Sequence, residues 1–241
     1  MSMQIYTECS TDSRDGSMKA NLLQTGLDLF LNEINSCMAA GEWFDEACFR
    51  KFKEAANDTG NIGELDYKPW KKDSLELKVD GFYLEDNQLS IAISDFTDNE
   101  EITFLDSNEL KTLVKKVQSL VKECHNENFV NDLEQDHSAF RLSELLREGS
   151  IHRIKIVIFS NKLIKDRELE QQKGTILEKP ITYNFFDFKR YMSSLHAKNE
   201  TESIEIDIAK LNNGKTISCI QADSGMGKYH SFLAVMPGKL S

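Results

Sequence analysis

The chain has 241 residues, of which 40% are hydrophobic and 29% are charged, a balance typical of a globular protein that buries a core. No apolar run reaches the roughly 18 residues of a transmembrane helix, and the first residues lack the apolar segment of a secretory signal. The five cysteines are scattered and form no CxxC pair, which argues against a disulfide framework or a zinc ribbon and indicates a reducing cytoplasm.

The net charge of −11 comes entirely from the first hundred residues, which carry 20 Asp and Glu against 9 Lys and Arg. Nucleic-acid binding depends on Lys and Arg that neutralise phosphates, so this balance disfavours nucleic acid as a partner of the chain by itself. A local basic patch around Arg147, His152, Arg153 and Lys155 is the alternative that the sequence leaves open.

The first third of the chain predicts two helices and a loop. Residues 1–18 are polar and predict a flexible leader. Apolar residues then recur at spacings of three and four over 19–40 and over 44–57, which predicts two amphipathic helices. The segment 58–73 contains two glycines and a proline without periodicity, and therefore predicts a loop.

The rest of the chain predicts mainly strands. Apolar residues alternate over 75–96 on either side of the turn-forming Glu85, Asp86 and Asn87, which predicts a β-hairpin. The remaining predicted elements are a capped helix from 106 to about 125, a helix over 138–148, buried strands over 151–160 and 181–188, a helix over 187–195, and three β segments within 203–238.

This order of elements predicts an α/β (α+β) fold with a mixed central β-sheet flanked by helices. No internal repeat or clear linker interrupts it, so residues 19–241 are expected to form a single domain. Because the sequence stops directly after a predicted strand, we expect this domain to be the N-terminal fragment of a longer protein.

The strongest candidate site lies on the predicted hairpin. Asp80 ends one apolar strand and precedes Gly81, and Asp95 ends the partner strand. Two carboxylates at such positions can lie close together and hold a hard cation such as Mg²⁺, with phosphate and water filling its other positions. The alternative is structural: Asp80 and Gly81 shape the strand, and Asp95 caps a loop.

Two further motifs are rejected. The segment 223–230 lacks the first glycine of a P-loop, since Ala222 stands there, and Lys228 is followed by Tyr229 rather than Ser or Thr. Cys124 and His125, with a histidine twelve residues later at 137, lack the second ligand pair of a structural zinc site.

Five segments occur in a characteristic order: VDGFYLEDNQLSIAISDF (79–96), IKIVIFSNKLI (154–164), ITYNFFDFKRYMSSL (181–195), SIEIDI (203–208) and YHSFLAVMPG (229–238). Together they resemble the N-terminal domain of bacterial abortive-infection phage-resistance (AIPR) proteins, from about residue 20 to the end. The resemblance implies a cytoplasmic antiviral-defence protein whose larger C-terminal AIPR region is the partner of this domain. It is also compatible with a homo-oligomer.

The hairpin of that family is similar to the Q-x-K variant of the PD-(D/E)XK restriction-endonuclease core. The resemblance implies a restriction-endonuclease-like fold in which Asp80 is the Mg²⁺ ligand. Ile93 then occupies the position of the expected Gln or Glu, and Asp95 that of the lysine. An isoleucine cannot bind a cation, and an aspartate reverses the charge that stabilises an attacked phosphate. We therefore expect a catalytically degenerate scaffold or interaction module without a cofactor, with Asp80 and Asp95 as vestiges of the site.

Two other hypotheses remain open. The first is an active Mg²⁺-dependent DNA or RNA endonuclease with a rearranged site, to which Lys78, Lys155 or Lys162 brings the ammonium group from another position. The second is a protein-binding module unrelated to nucleases.

Overall fold

A computed structural model describes residues 12–58, 62–199, 219–222 and 231–234. The chain divides into two compact units, Met1–Asn199 and Glu200–Ser241, and a single domain over 19–241 stays a prediction. Among the described residues, no helix has the length and apolar character needed to cross a membrane.

The helices of the first unit are α1 (Asp12–Ala39), α2 (Phe44–Asp58), α3 (Ser107–Glu123), α4 (Glu127–Asn131), α5 (Ser138–Arg147), α6 (Glu168–Gln171) and α7 (Phe188–Asn199). Its strands are β1 (Asp66–Lys72), β2 (Leu77–Glu85), β3 (Gln88–Asp95), β4 (Phe104–Leu105), β5 (Arg153–Ser160), β6 (Leu163–Ile164), β7 (Gly174–Ile176) and β8 (Lys179–Asp187).

A six-stranded mixed sheet forms the centre of this unit, in the order β1-β2-β3-β5-β8-β7. The pairs β1–β2, β2–β3 and β7–β8 are antiparallel, whereas β3–β5 and β5–β8 are parallel. Helices connect the parallel strands and cover the sheet, which confirms the predicted fold class. The order α2-β1-β2-β3-α3-β5 is also compatible with a restriction-endonuclease-like core.

The sheet buries one hydrophobic cluster on each face. On one face α3 and α5 pack against Ile91 and Ile93 of β3 and Ile156 and Ile158 of β5. On the other face α1, α2 and α7 enclose an aromatic cluster that includes Phe159 of β5. Successive side chains of a strand point to opposite faces, so a strand covered on both sides must be apolar throughout. The prediction of β5 as a buried central strand is therefore confirmed.

The predicted loop over 58–73 is wrong at Asp66–Lys72, which form β1 at the edge of the sheet. Pro69 hides this strand because proline cannot donate a ladder hydrogen bond. The pairing with β2 shifts register between Tyr67 and Trp70, so Pro69 sits in a bulge on an edge strand, where its missing N–H is tolerated.

The predicted turn of the hairpin is confirmed. Asp86 and Asn87 connect β2 to β3 with φ values of 47° and 63°. Both residue types tolerate this left-handed conformation, and a two-residue turn of this kind matches the twist of an antiparallel pair.

Helix α1 begins at Asp12, so the last part of the predicted leader is helical. The helices predicted over 44–57, 106–125, 138–148 and 187–195 correspond to α2, α3, α5 and α7. In the second unit, β9 (Cys219–Ala222) and β10 (Ser231–Ala234) form an antiparallel pair. The β segment predicted from residue 203 lies outside the described residues.

We expect Ile156→Ala to lower the free energy of unfolding by about 2–5 kcal/mol, because it leaves a cavity in a strand covered on both faces. Urea denaturation measures this loss. The matched control Leu29→Ala removes a side chain that is 62% exposed and should change stability by less than about 0.5 kcal/mol. Equal effects of the two substitutions would contradict the central position of β5.

Candidate functional site

The candidate site lies where β2 and β3 separate. Their ladder ends at the pair Gly81–Ala92, whereas β3 continues beside β5 to Asp95 and β2 extends back to Leu77. We call the opening between Leu77–Asp80 of β2 and Ile93–Asp95 of β3 the fork.

Side chains close the fork in place of backbone hydrogen bonds. The backbone N–H and the hydroxyl of Ser94 both donate to Asp80 Oδ2, at 2.6 and 2.8 Å. Lys78 Nζ lies 3.1 Å from the same oxygen and donates to the Ser94 carbonyl at 2.8 Å. The Asp80 side chain is only 5% exposed and that of Lys78 27%. One oxygen of a buried carboxylate therefore contacts two hydrogen-bond donors and one ammonium group.

Gly81 is explained by the approach of another backbone. A Cβ at this position would collide with the carbonyl oxygen of Asp66 on β1, and would lie 3.0 Å from Cζ of Phe49 on α2. The absence of a side chain at Gly81 thus permits the close approach of β1 and α2.

The two positions aligned with the nuclease motif on β3 point away from Asp80. Ile93 is fully buried in the cluster beneath α3. Asp95 lines a cleft of about 310 Å³ together with Leu105 and residues of α3. Ser94 lies between them, and its side chain points to the opposite face and meets Asp80. The structure therefore brings Asp80 together with Ser94 and Lys78, and gives Asp95 a different neighbourhood.

The other two candidate lysines lie on β5 or directly after it. Lys162 Nζ forms an ion pair with Asp95 Oδ2 at 2.8 Å. Lys155 is half-buried opposite Ser90 of β3, four residues along the strand from Ser94, and burial lowers its pKa. Of the three lysines proposed for a rearranged site, Lys78 is the one that contacts Asp80.

Tyr67 of β1 lies close enough to the fork to be affected by the charge of Asp80, and two further acidic residues act on it as well. Burial raises the pKa of Tyr67 well above its ordinary value, and the negative charges of Asp80, Asp45 and Glu46 raise it further. Asp45 and Glu46 lie in the first turn of α2. No sequence pattern indicates this grouping, because it depends on how α2 and β1 pack beside the fork.

Among the described residues, one cluster of three or more potential metal ligands has its ligand atoms within 4.8 Å of one another, and it does not include the fork. It consists of Glu134, Asp136 and His137, and both carboxylates are exposed. Cys124 is fully buried at the end of α3, where burial raises its thiol pKa to about 12. Its sulfur is therefore a protonated core group rather than a metal-binding thiolate.

Comparison with known protein families gives one match. The family model described as the abortive infection phage resistance protein N-terminal domain matches residues 44–192, which is more than half of the chain. This chain belongs to that family. The curated proteins and the solved structures contain no match to the chain.

The family segment runs from the first residue of α2 into α7 and includes the whole six-stranded sheet and the fork. It is shorter than the resemblance, which extended from about residue 20 to the end. Helix α1 precedes the matched segment, and the terminal SFLAVMPG motif follows it.

We expect Asp80→Ala to lower the free energy of unfolding by about 2–4 kcal/mol, because it removes the counter-charge of Lys78 and leaves the N–H of Ser94 unpaired in a mostly buried fork. Chemical denaturation measures the change. The control Asp66→Ala removes an aspartate of β1 whose side chain is 63% exposed, and its surface ion pair contributes at most about 1 kcal/mol. An Asp80→Ala variant as stable as the control would show that the fork contacts contribute little.

The buried thiol of Cys124 predicts a loss of stability at high pH. Its pKa is about 12 in the folded protein against 9.0 for a free thiol, so the folded state retains a proton that the unfolded state releases. The stabilisation is complete below about pH 9 and disappears as the pH approaches 12, an effect of about 4 kcal/mol. In denaturation at several pH values, Cys124→Ala should show a shallower decline than the wild type. Val121→Ala, also buried in α3, should keep the wild-type slope.

Proposed function

We propose that residues 44–192 form a nuclease-like but non-catalytic domain of an abortive-infection phage-resistance protein, which acts as a scaffold or interaction module in the bacterial cytoplasm. Family membership supports the defence role. The C-terminal region that the resemblance implies would be its first partner. The observation that carries the non-catalytic part is the engagement of Asp80 by Ser94 and Lys78 inside the closed fork.

A Mg²⁺ ion that acts on a phosphodiester needs oxygen ligands on the same side as Asp80. Side chains alternate along β3, so the residues on the Asp80 side are Ala92 and Ser94, and neither supplies a carboxylate or an amine. Moving the motif by one residue therefore does not restore a Gln or Glu followed by a lysine. Ile93 and Asp95 lie on the other face, where Asp95 is neutralised by Lys162.

The pair of Asp80 and Lys78 supports the rearranged, Mg²⁺-dependent nuclease as a second candidate. The ammonium group of Lys78 lies 3.1 Å from the Asp80 carboxylate. The negative charges of Asp45 and Glu46 raise the pKa of the neighbouring Tyr67. In that case these acidic residues would have to move to complete a metal site, and Lys78 would orient the attacking water. The low exposure of Asp80 argues for the scaffold.

The two candidates differ in a cleavage assay. The 241-residue chain is incubated with supercoiled plasmid, single-stranded DNA and RNA in the presence of Mg²⁺ or Mn²⁺. We expect the wild type to cleave no faster than Asp80→Asn or Lys78→Met, because neither Ala92 nor Ser94 offers a second carboxylate beside Asp80 for a cation. Gel electrophoresis of the products gives the rate.

The control Asp66→Asn carries the same charge change on the exposed side of β1. Cleavage that persists in this control but disappears in both Asp80→Asn and Lys78→Met would overturn the scaffold proposal and establish the rearranged nuclease. Thermal melting of each variant distinguishes loss of activity from loss of folding.

A further inference from the structure

A groove of about 780 Å³ lies between α1 and the segment that follows β3. One wall is the face of α1 that carries Asp28, Leu31, Asn32, Asn35 and Met38, residues spaced as successive helical turns. The other wall is the segment 96–100 that leaves β3, and Phe44 of α2 closes one end. We call this cleft the α1 groove.

The α1 groove is held in shape by two side-chain amides. Gln24 donates to the Asp28 carboxylate at 2.9 Å and to the Glu100 carbonyl at 2.6 Å, which fastens the outer wall to α1. The buried Asn161 accepts from the N–H of Thr97 at 3.0 Å and donates to its carbonyl at 2.6 Å. Both ends of the wall are therefore fixed, and a ligand would not have to order it on binding.

The groove combines an apolar floor with an acidic rim. Leu31, Phe44 and Phe96 supply the floor. Three carboxylates, Asp28, Asp98 and Glu100, line it, and no Lys or Arg does among the residues whose placement the structure describes. Within the described parts of the chain, none of these three carboxylates forms an ion pair with a basic side chain.

Exposed apolar side chains continue the surface at the closed end. Met38, which lines the groove, is 43% exposed, and Trp43, next to Phe44, is 80% exposed. Exposed aromatic residues beside a preformed cleft are typical of protein interfaces. The lining stretch of α1 runs from Asp28 to Met38, a rise of roughly 15 Å, which accommodates about five residues of an extended chain.

We propose that the α1 groove binds a basic polypeptide segment of a protein partner, in which Lys or Arg residues flank apolar side chains. The unpaired carboxylates attract the cationic groups, and the apolar floor receives the side chains between them. The same charges repel nucleic acid and acidic peptides. This inference rests on the proposed interaction role and deepens it, because it assigns the chemical class of the partner.

The test uses a fluorescently labelled peptide Lys-Leu-Lys-Phe-Lys and the 241-residue chain, with binding followed by fluorescence anisotropy. The groove variant Asp28→Asn/Asp98→Asn/Glu100→Gln removes the charges and retains the shapes, including an oxygen at residue 28 that accepts from Gln24. We expect it to bind the peptide about tenfold more weakly or worse, and we expect added salt to weaken binding to the wild type.

The matched control Glu127→Gln/Asp132→Asn/Glu178→Gln changes the net charge equally at exposed positions of α4, its C-terminal end and the β7–β8 turn. It should bind the peptide as the wild type does. The peptides Glu-Leu-Glu-Phe-Glu and Lys-Gly-Lys-Gly-Lys, which reverse the charge or remove the apolar groups, should both bind more weakly.

Equal loss in the groove variant and the control, equal binding of the acidic peptide, or no binding to the wild type would overturn the proposal. Sedimentation that shows a dimer dissociated by the groove variant would also overturn it, because the occupant would then be a second copy of this chain. The cleavage assay is independent: a chain that cuts DNA and also binds the basic peptide would refute the scaffold proposal and keep this one.

Discussion

Between Gly81 and Leu77, strands β2 and β3 are joined by two charged side chains rather than by backbone hydrogen bonds. Asp80 accepts the N–H of Ser94, and Lys78 donates to the carbonyl of the same residue, so the pair satisfies both backbone groups that β2 leaves unpaired. With their charged atoms 3.1 Å apart in a mostly buried opening, each partner depends on the other for its neutralisation. The contacts that stabilise the fork all end on Oδ2, so a cation that used this oxygen would have to displace Ser94 or Lys78.

The fork also shows why a family motif can be aligned to a strand reliably only when the pairing register of that strand is known. Side chains alternate with a period of two, and a shift of one residue moves every side chain to the other face. The motif places Ile93 and Asp95 at the functional positions, but both face α3, whereas Ser94 meets Asp80. The sequence identified Asp80 and the three lysines without showing which lysine reaches it. Lys78 does so because β2 and β3 separate at Gly81. This separation depends on β1, β2, β3 and α2 together, since β1 and α2 pack closely against Gly81.

The strongly periodic elements were predictable, and those defined by their neighbours were not. Strand β5 contains a nearly continuous apolar run because helices cover it on both faces, and α3 has a capping box at Asp106 and Glu109 that marks its start. Strand β1 carries lysines and Pro69, and only its pairing with β2 makes it a strand. Strand β7 precedes a turn in which Leu177 and Glu178 adopt φ values of 50° and 62°. These residue types rarely adopt that conformation, so the turn has no sequence signal.

Three of the acidic residues in the first hundred, Asp28, Asp98 and Glu100, lie together along the α1 groove. Ser94 of the fork and Phe96 of the α1 groove are two residues apart on the same side of the chain, a separation of roughly 7 Å in extended backbone. A phosphate backbone that approached Asp80 from this side would also meet the carboxylates of Asp98 and Glu100, two and four residues beyond Phe96. The electrostatic field around the groove thus disfavours the substrate that a nuclease site would require and favours a cationic protein segment. The burial of Asp80 and the charge of the groove have independent physical origins, and both argue against cleavage of nucleic acid at the fork.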